Sequence, residues 1–180
     1  GRATSFGEIT PGTKGVSGAA SDSTRALRFG GGTHPEGDVS NNISYITISS
    51  TGNEQEFGDL SAAGSSRGTA MSNSIRAVQI VNNANGQVNV MEYVTIQSTG
   101  NSVDYGDLTS EPGQYRMGNV ASTTRGLLMG LYAPGGDSHA NHNTIEFITI
   151  ATTGNSQDFG DLTSTASNCA SSSNSTRAVR

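Results

Sequence analysis

The sequence predicts an all-β protein built from repeated units of about 50 residues. An aromatic-aliphatic-Thr-Ile segment that runs into Thr-Gly-Asn occurs three times, at 45–53, 93–101 and 147–155. An aromatic-Gly-Asp-Leu tetrad follows each copy, at 57–60, 105–108 and 159–162, and a weaker version, Phe-Gly-Glu-Ile, stands at 6–9. No stretch shows the sustained 3.6-residue apolar period of an amphipathic helix.

Two independent anchors measure the repeat. The acidic residues Glu8, Asp59, Asp107 and Asp161 follow each other in steps of 51, 48 and 54 residues. An Arg before a small residue recurs in steps of 51, 49 and 52, at Arg25, Arg76, Arg125 and Arg177. Because both anchors keep a similar period, we expect one repeat array over residues 1–180 with loops of variable length. The predicted units are 1–23 (partial), 24–74, 75–123, 124–175 and 176–180 (the start of another).

Each unit is predicted to contain four short strands. The first follows the repeated Arg, at 24–29, 75–81, 124–131 and 176–179. The second, at 43–48, 91–96 and 145–150, has apolar side chains on both faces, as expected for a strand buried on two sides. The tetrad is the third strand, and a stretch of small residues is the fourth, at 15–20, 68–73, 117–121 and 168–172. Thr-Gly-Asn is predicted as a turn, since Gly and Asn accept positive φ at little cost.

Four strands in about 50 residues match the strand number of a β-propeller blade and the repeat length of kelch sequences. At this point the chain resembles kelch repeats. Gly30-Gly31-Gly32 stands where kelch repeats have a di-glycine, Ile43-Ser44-Tyr45 matches the following strand, and Phe57 takes the place of the usual Trp. Arg67 and Arg116 match the mid-repeat Arg. The chain departs from the pattern at Asn82-Asn83, at the lone Gly130, at Lys14 and near Cys169, and it contains no Trp.

The sequence of the repeat, with its Thr-Gly-Asn turn and the following Phe-Gly-Asp-Leu segment, resembles even more closely the kelch-like arrays in large structural proteins of marine tailed phages. That resemblance implies a kelch-like β-propeller in a virion structural protein such as a tail fibre, with an extracellular or virion-surface location and a role in adhesion. An open β-solenoid or fibre stack of the same units is the alternative architecture, and a small ring of four blades short of one strand is a further one. We also expect the chain to be a segment of a longer polypeptide.

The repeated charged residues favour a structural role, because a functional site is usually built only once. We expect Asp59, Asp107 and Asp161 to pair with the repeated Arg residues or to cap backbone amides in turns. The alternative is a ring of carboxylates that binds a cation or sugar hydroxyl groups. Breaking one partner of a buried pair would cost about 3–5 kcal/mol.

Residues that occur once have better odds of binding a ligand. The polar connections 33–42, 82–90 and 131–144 contain the candidates His34, Glu36, Asp38, Asn85, Asp137, His139 and His142. Polar side chains on loops of a rigid scaffold suit recognition of glycan hydroxyl groups or of another protein. His139-x-x-His142 with Asp137 could coordinate a metal, but its loose spacing favours a plain polar loop. The sequence predicts no metal site.

The sequence gives no support for catalysis, since nucleophile-elbow, phosphate-loop, dinucleotide and zinc-protease motifs are all missing. We therefore predict a non-enzymatic module without cofactors. A glycan-active enzyme domain on a propeller is the alternative, and it would need two buried acids facing one pocket. The net charge of −5, with no basic stripe, argues against nucleic acid. No apolar run is long enough to insert into a membrane, and the expected partners are other subunits in a homo-oligomer or larger assembly.

Overall fold

The structure is a computed structural model that describes residues 2–9, 18–32, 39–62, 68–81, 89–109, 118–130, 132–135, 138–165 and 170–179. These residues form strands and turns and contain no helix, which confirms the all-β prediction. None of the described segments is therefore a helix that could cross a membrane.

Three four-stranded antiparallel sheets make up most of the fold, and each has its strands in chain order. Sheet 1 consists of β1 (Gly18–Ser21), β2 (Arg25–Gly32), β3 (Val39–Thr47) and β4 (Gln55–Asp59). Sheet 2 consists of β5 (Thr69–Ser72), β6 (Arg76–Ile80), β7 (Val90–Thr95) and β8 (Val103–Asp107). Sheet 3 consists of β9 (Gly118–Ala121), β10 (Arg125–Met129), β13 (Thr144–Thr149) and β14 (Gln157–Asp161).

Two strand pairs complete the described fold. The pair β11 (Tyr132–Gly135) and β12 (Ser138–Asn141) lies between β10 and β13, within a segment that the sequence predicted as a loop. The pair β15 (Ser172–Ser173) and β16 (Ala178–Val179) follows sheet 3. These repeated sheets confirm the prediction of four-stranded units.

The hydrogen-bonded sheets begin one strand earlier than the predicted units. The small-residue strand β1 pairs with the strand that follows it, with Gly18 opposite Phe29 and Ser21 opposite Ala26. The same pairing joins β5 to β6 and β9 to β10. The reason is the tight turn between each small-residue strand and the next Arg strand, because a short turn makes the two strands antiparallel neighbours.

The sheets pack face to face, and two apolar clusters fill the two joints between them. The joint between sheets 1 and 2 contains Leu27, Phe29, Ile43, Phe57, Leu60, Ala70, Ala77, Val94 and Ile96. The joint between sheets 2 and 3 contains Met71, Val78, Ile80, Met91, Tyr105, Leu108, Leu128, Ile148 and Ile150. Side chains alternate between the two faces of a strand, so Leu27 and Phe29 point toward sheet 2 while Arg28 lies on the outer face of sheet 1.

Successive sheets have the same orientation. Their first strands lie next to one another along the row, β1 by β5, β5 by β9 and β9 by β15. Within the described residues no sheet combines strands from both ends of the chain, and neither a closed propeller nor a continuous solenoid is formed. The architecture is thus a row of stacked, repeated sheets.

Candidate functional site

The aromatic-Gly-acid tetrad of one unit binds the Thr-Gly-Asn turn of the next. The Gly100 N–H donates to the Phe57 carbonyl oxygen at 2.8 Å, and the Gly154 N–H donates to Tyr105 at 2.7 Å. The Asn101 side chain accepts from the Asp59 N–H at 3.1 Å, and Asn155 accepts from Asp107 at 3.1 Å. At the start of the chain Phe6 and Glu8 make the same contacts with Gly52 and Asn53, so the joint occurs three times.

Glycine is required in the tetrad because two backbones meet there. A Cβ atom placed on Gly106 would lie 2.6 Å from the carbonyl carbon and oxygen of Gly154, and the φ angle of Gly106 is 138°. The short contact distance and the positive φ angle both make any larger residue costly at this position. A β-bulge in β7 and β8, between Met91 and Glu92, accompanies this geometry.

The repeated Arg residues stack on aromatic rings. The guanidinium carbons of Arg25 and Arg76 lie 4.6 Å and 4.1 Å from the ring centres of Tyr45 and Tyr93, and Arg125 lies 4.6 Å from that of Phe147. Two of these Arg residues also reach the next sheet. Arg25 donates to the Ile96 carbonyl at 3.1 Å, and Arg76 donates to the Ile150 carbonyl at 3.2 Å.

These contacts differ from the expected Asp-Arg pairs. Within the described ranges one ion pair is formed, between Arg28 and Glu54, and it contains neither a repeated Asp nor a repeated Arg. Asp59 and Asp107 contribute their backbone N–H groups, which donate to Asn side chains of the next unit. Cation–π stacking explains why each Arg is matched to an aromatic residue on the neighbouring strand. Arg177 lies in the turn before β16 and is exposed.

Each sheet contains one largely buried Glu that is hydrogen-bonded to a Ser ten residues away. In sheet 1 the Ser comes first along the chain, and in sheets 2 and 3 the Glu comes first. In sheet 1 Ser44 donates to Glu54 at 2.8 Å. In sheet 2 the Glu is on the neighbouring strand, where Glu92 accepts from Ser102 and also from the Ser61 N–H at 3.1 Å. Glu146 of sheet 3 accepts in the same way from Ser156 and from Thr109. Buried carboxylates need such donors. Glu92 and Glu146 each accept from a residue that follows the last strand of the preceding sheet, so these two connect neighbouring sheets.

A polar turn residue recurs between the first and second strands. Asp22, Asn73, Ser122 and Asn174 each accept from the backbone N–H groups two and three residues later. Burial alone would raise the pKa of Asp22. The hydrogen bonds from Arg25, Thr24 and Gln97 outweigh that effect and lower the pKa to about 2. Gln97 belongs to sheet 2, so this turn also connects neighbouring sheets.

A polar cleft of about 210 Å³ lies on the outer face of sheet 1. It is lined by Arg28, Ser40, Asn42, Ser44, Glu54, Gln55 and Glu56. Arg28 and Glu54 form a partly buried ion pair at 3.0 Å. The residues equivalent to Arg28 in the other sheets are Gln79 and Leu128, so within the three sheets this charged pair occurs once.

The strand ends next to the predicted ligand-binding connections lie at one edge of the stack. Gln97, in the turn after β7, donates to Asp22 at 2.5 Å, and the Asn73 side chain donates to Thr123 at 3.3 Å. Turns of neighbouring sheets therefore meet at one edge. The strand ends that flank 33–38, 82–88 and 136–137 consequently lie at the opposite edge.

The predicted ligand-binding residues differ in how far the structure describes them. His34, Glu36, Asp38, Asn85 and Asp137 lie outside the described residues, as do Lys14, Arg67, Arg116 and Cys169. His139 belongs to β12, and His142 follows it as an exposed residue. The described side chains contain no group of three His, Cys, Asp or Glu residues arranged for a metal ion.

Sequence reasoning missed three recurring features. These are the Ser/Glu exchange, the polar residue three positions before each repeated Arg, and an Asn at 41, 89 and 143 whose carbonyl accepts from the Leu of the tetrad. An alignment of the units with each other would have revealed all three. Comparison with protein-family models and with curated proteins finds no match for this chain.

Proposed function

We propose that this chain is a non-enzymatic structural and adhesive module of an extracellular or virion-surface assembly, such as a phage tail fibre. Its variable connections would bind glycan or protein partners. The observation that carries the proposal is a division of labour among polar residues. Recurring polar side chains such as Arg76 and Glu92 are used in contacts between sheets. The residues predicted to bind ligands occur once, in segments between the second and third strands of a sheet.

The architecture proposed with this function is a kelch-like array, in which each sheet is one blade. Four strands in chain order, forming an antiparallel meander packed face to face on the next, is the form of a propeller blade. An open stack of the same sheets would serve a fibre equally well. The expected partners are other subunits, in a homo-oligomer or a larger assembly.

The cleft of sheet 1 is the best described candidate for glycan contact. Asn42, Gln55 and Glu56 offer amide and carboxylate groups of the kind that bind sugar hydroxyl groups. Ser40, which also lines the cleft, follows the connection 33–38 closely in sequence. Arg28 holds Glu54 in place with two hydrogen bonds, at 3.0 and 3.1 Å. The net charge of −5 favours neutral sugars over acidic ones.

The test is retention of the purified chain on an array of neutral and acidic oligosaccharides. We expect retention by the wild type on neutral sugars. Replacing 33–38 by a six-residue Gly-Ser segment, or Glu56→Gln, should weaken retention about tenfold, which corresponds to about 1.4 kcal/mol. Glu56→Gln should leave the melting temperature unchanged, because Glu56 is exposed.

The matched control is Gly106→Ala, which alters a joint between sheets and lies on no variable connection. It should lower the melting temperature and retain sugars normally below that temperature. Loss of binding in Gly106→Ala together with unchanged binding in both cleft variants would contradict the proposal. So would a wild-type chain that retains no sugar.

A glycan-active enzyme is the second candidate, because Glu54 and Glu56 line one cleft. Hydrolysis of a glycosidic bond uses two carboxyl groups, one of which donates a proton. Both carboxylate oxygens of Glu54 already accept hydrogen bonds from Arg28, at 3.0 and 3.1 Å, which leaves Glu54 poorly placed for that step. Release of reducing ends from the retained oligosaccharides, abolished by Glu56→Gln, would favour this candidate.

A further inference from the structure

The outer face of sheet 3 lacks a covering that the corresponding faces of sheets 1 and 2 possess. Phe159 is the counterpart of Phe57 and Tyr105 in the tetrad. Phe57 and Tyr105 are 3% and 2% exposed, whereas Phe159 is 51% exposed. The ring of Phe159 still packs edge-on against Phe147, with centroids 6.1 Å apart, as its counterparts pack against theirs. The position is therefore built like the others, and only the neighbour differs.

The backbone at this face is also open. A Cβ on Gly58 or Gly106 would collide with the next unit at 2.2 and 2.6 Å, but a Cβ on Gly160 would meet no atom within 4 Å. The carbonyl oxygens of Phe57 and Tyr105 accept from a glycine N–H of the next sheet. From the described residues beyond sheet 3, none donates to the Phe159 carbonyl.

Half of a covering sheet is already in place. Ser173 of β15 donates to the Ala121 carbonyl at 3.0 Å, as Ser72 of β5 donates to the Ser21 carbonyl at 2.8 Å. Asn174 forms the same turn as Asn73, and Ala178 follows Arg177 as Ala77 follows Arg76. The strands β15 and β16 thus occupy the positions of the first two strands of a sheet.

A cavity of about 360 Å³ separates these two strands from sheet 3, and Val120, Leu127 and Phe159 form its apolar wall. In the joint between sheets 1 and 2, the equivalent position is filled by Val94 and Ile96, next to Leu27 and Phe57. Those two side chains come from the third strand of the covering sheet and from the turn after it.

We propose that this end face binds a β-hairpin of the same repeat, which pairs with β16 and places its Thr-Gly-Asn turn on Phe159-Gly160-Asp161. The hairpin would contribute a Val/Ile-Thr-Ile strand to fill the cavity and a Gly N–H for the Phe159 carbonyl. A whole second copy docked end-on would have to displace β15 and β16. The established joints therefore favour the hairpin, and this inference holds whether or not the connections bind sugars.

The experiment uses the chain with residues 80–109 duplicated after Arg180, which continues β16 in register with β6. Because the sequence has no Trp, Phe159→Trp provides a unique fluorophore at the end face. We expect its emission to move to shorter wavelength in the extended chain and its quenching by iodide to fall several-fold. Phe57→Trp is the matched control, and its emission should not respond to the extension.

Gly160→Ala supplies the decisive comparison in the extended chain. It places a methyl group where the incoming glycine carbonyl would lie, and it should abolish the emission shift. A shift that persists with Gly160→Ala, or no shift in the extended chain, would overturn the proposal. A shift in the unextended chain that grows with protein concentration would also overturn it, because a second copy would then cover the face.

Discussion

Gly106 and Gly160 have almost the same backbone conformation, with φ angles of 138° and 137°, but different surroundings. Only Gly106 faces the carbonyl of a neighbouring sheet. Substituting Ala at both positions separates backbone strain from the collision between sheets. We expect Gly106→Ala to lower the free energy of unfolding by about 1–3 kcal/mol more than Gly160→Ala, as measured by urea denaturation. Equal losses would show that strain at φ alone requires glycine.

Asp22 links folding to pH at the residue scale. Its pKa is lowered in the folded chain to about 2 from 3.8. Its hydrogen bonds therefore stabilise the fold fully above about pH 4 and lose that contribution as the pH falls toward 2. Asn73 and Asn174 fill the equivalent turns, so Asp22→Asn should fold normally and remove this part of the acid sensitivity.

The size of the Asp22 effect should be about 1 kcal/mol or less, since the turn is partly exposed to solvent. Urea midpoints of the wild type and Asp22→Asn between pH 2 and pH 6 measure it. We expect the two curves to meet near pH 2 and to separate as the pH rises from 2 to 4. A constant difference between the two curves from pH 2 to pH 6 would contradict the assignment.

At the scale of elements, the stacked Arg connects two sheets only where a further sheet offers a carbonyl group to its guanidinium. Arg76 contacts both the Tyr93 ring and the Ile150 carbonyl, whereas Arg125 is exposed and stacks on Phe147. Arg76→Gln should therefore destabilise the fold by about 1–2 kcal/mol more than Arg125→Gln. Thermal unfolding of both variants checks this, and a reversed order would mean that the carbonyl bond contributes little.

The strands themselves could be predicted from the sequence because β-branched residues alternate and Gly and Asn mark the turns. The all-β class and the strands after Arg25, Arg76 and Arg125 follow from that pattern alone. The grouping into sheets could not, because a repeat has no intrinsic starting point and only hydrogen bonding shows that Gly18 belongs with Phe29. The aromatic partners of Arg25, Arg76 and Arg125 were not predicted, because they lie on a neighbouring strand and the spacing of the repeat does not show which strands are neighbours. The cleft beside Glu54 depends on contacts between strands, and the spacing of residues along the sequence does not predict those contacts.

At the scale of the whole molecule, stability should vary along the row of sheets. Sheet 2 is covered on both faces, while the end sheets each have one face without a complete neighbour among the described residues. In a linear stack each unit is stabilised by its neighbours, so backbone amides of β6 and β7 should exchange with solvent more slowly than those of β14 and β16. Hydrogen exchange followed by mass spectrometry measures this gradient. Uniform protection would indicate a single cooperative unit.

The shared edge of the strand ends that flank the three connections has a consequence for avidity. Stacked sheets lie about 10 Å apart, so the strand ends that flank these connections recur at about that spacing. Under the proposed function, the connections would offer a row of binding points with the same spacing. A polymer whose repeating unit matches that spacing would bind at several points simultaneously. Each bound point would raise the effective concentration of the polymer at the next point. Contacts that are weak individually would then give high avidity for long polymer chains and very low affinity for single sugars.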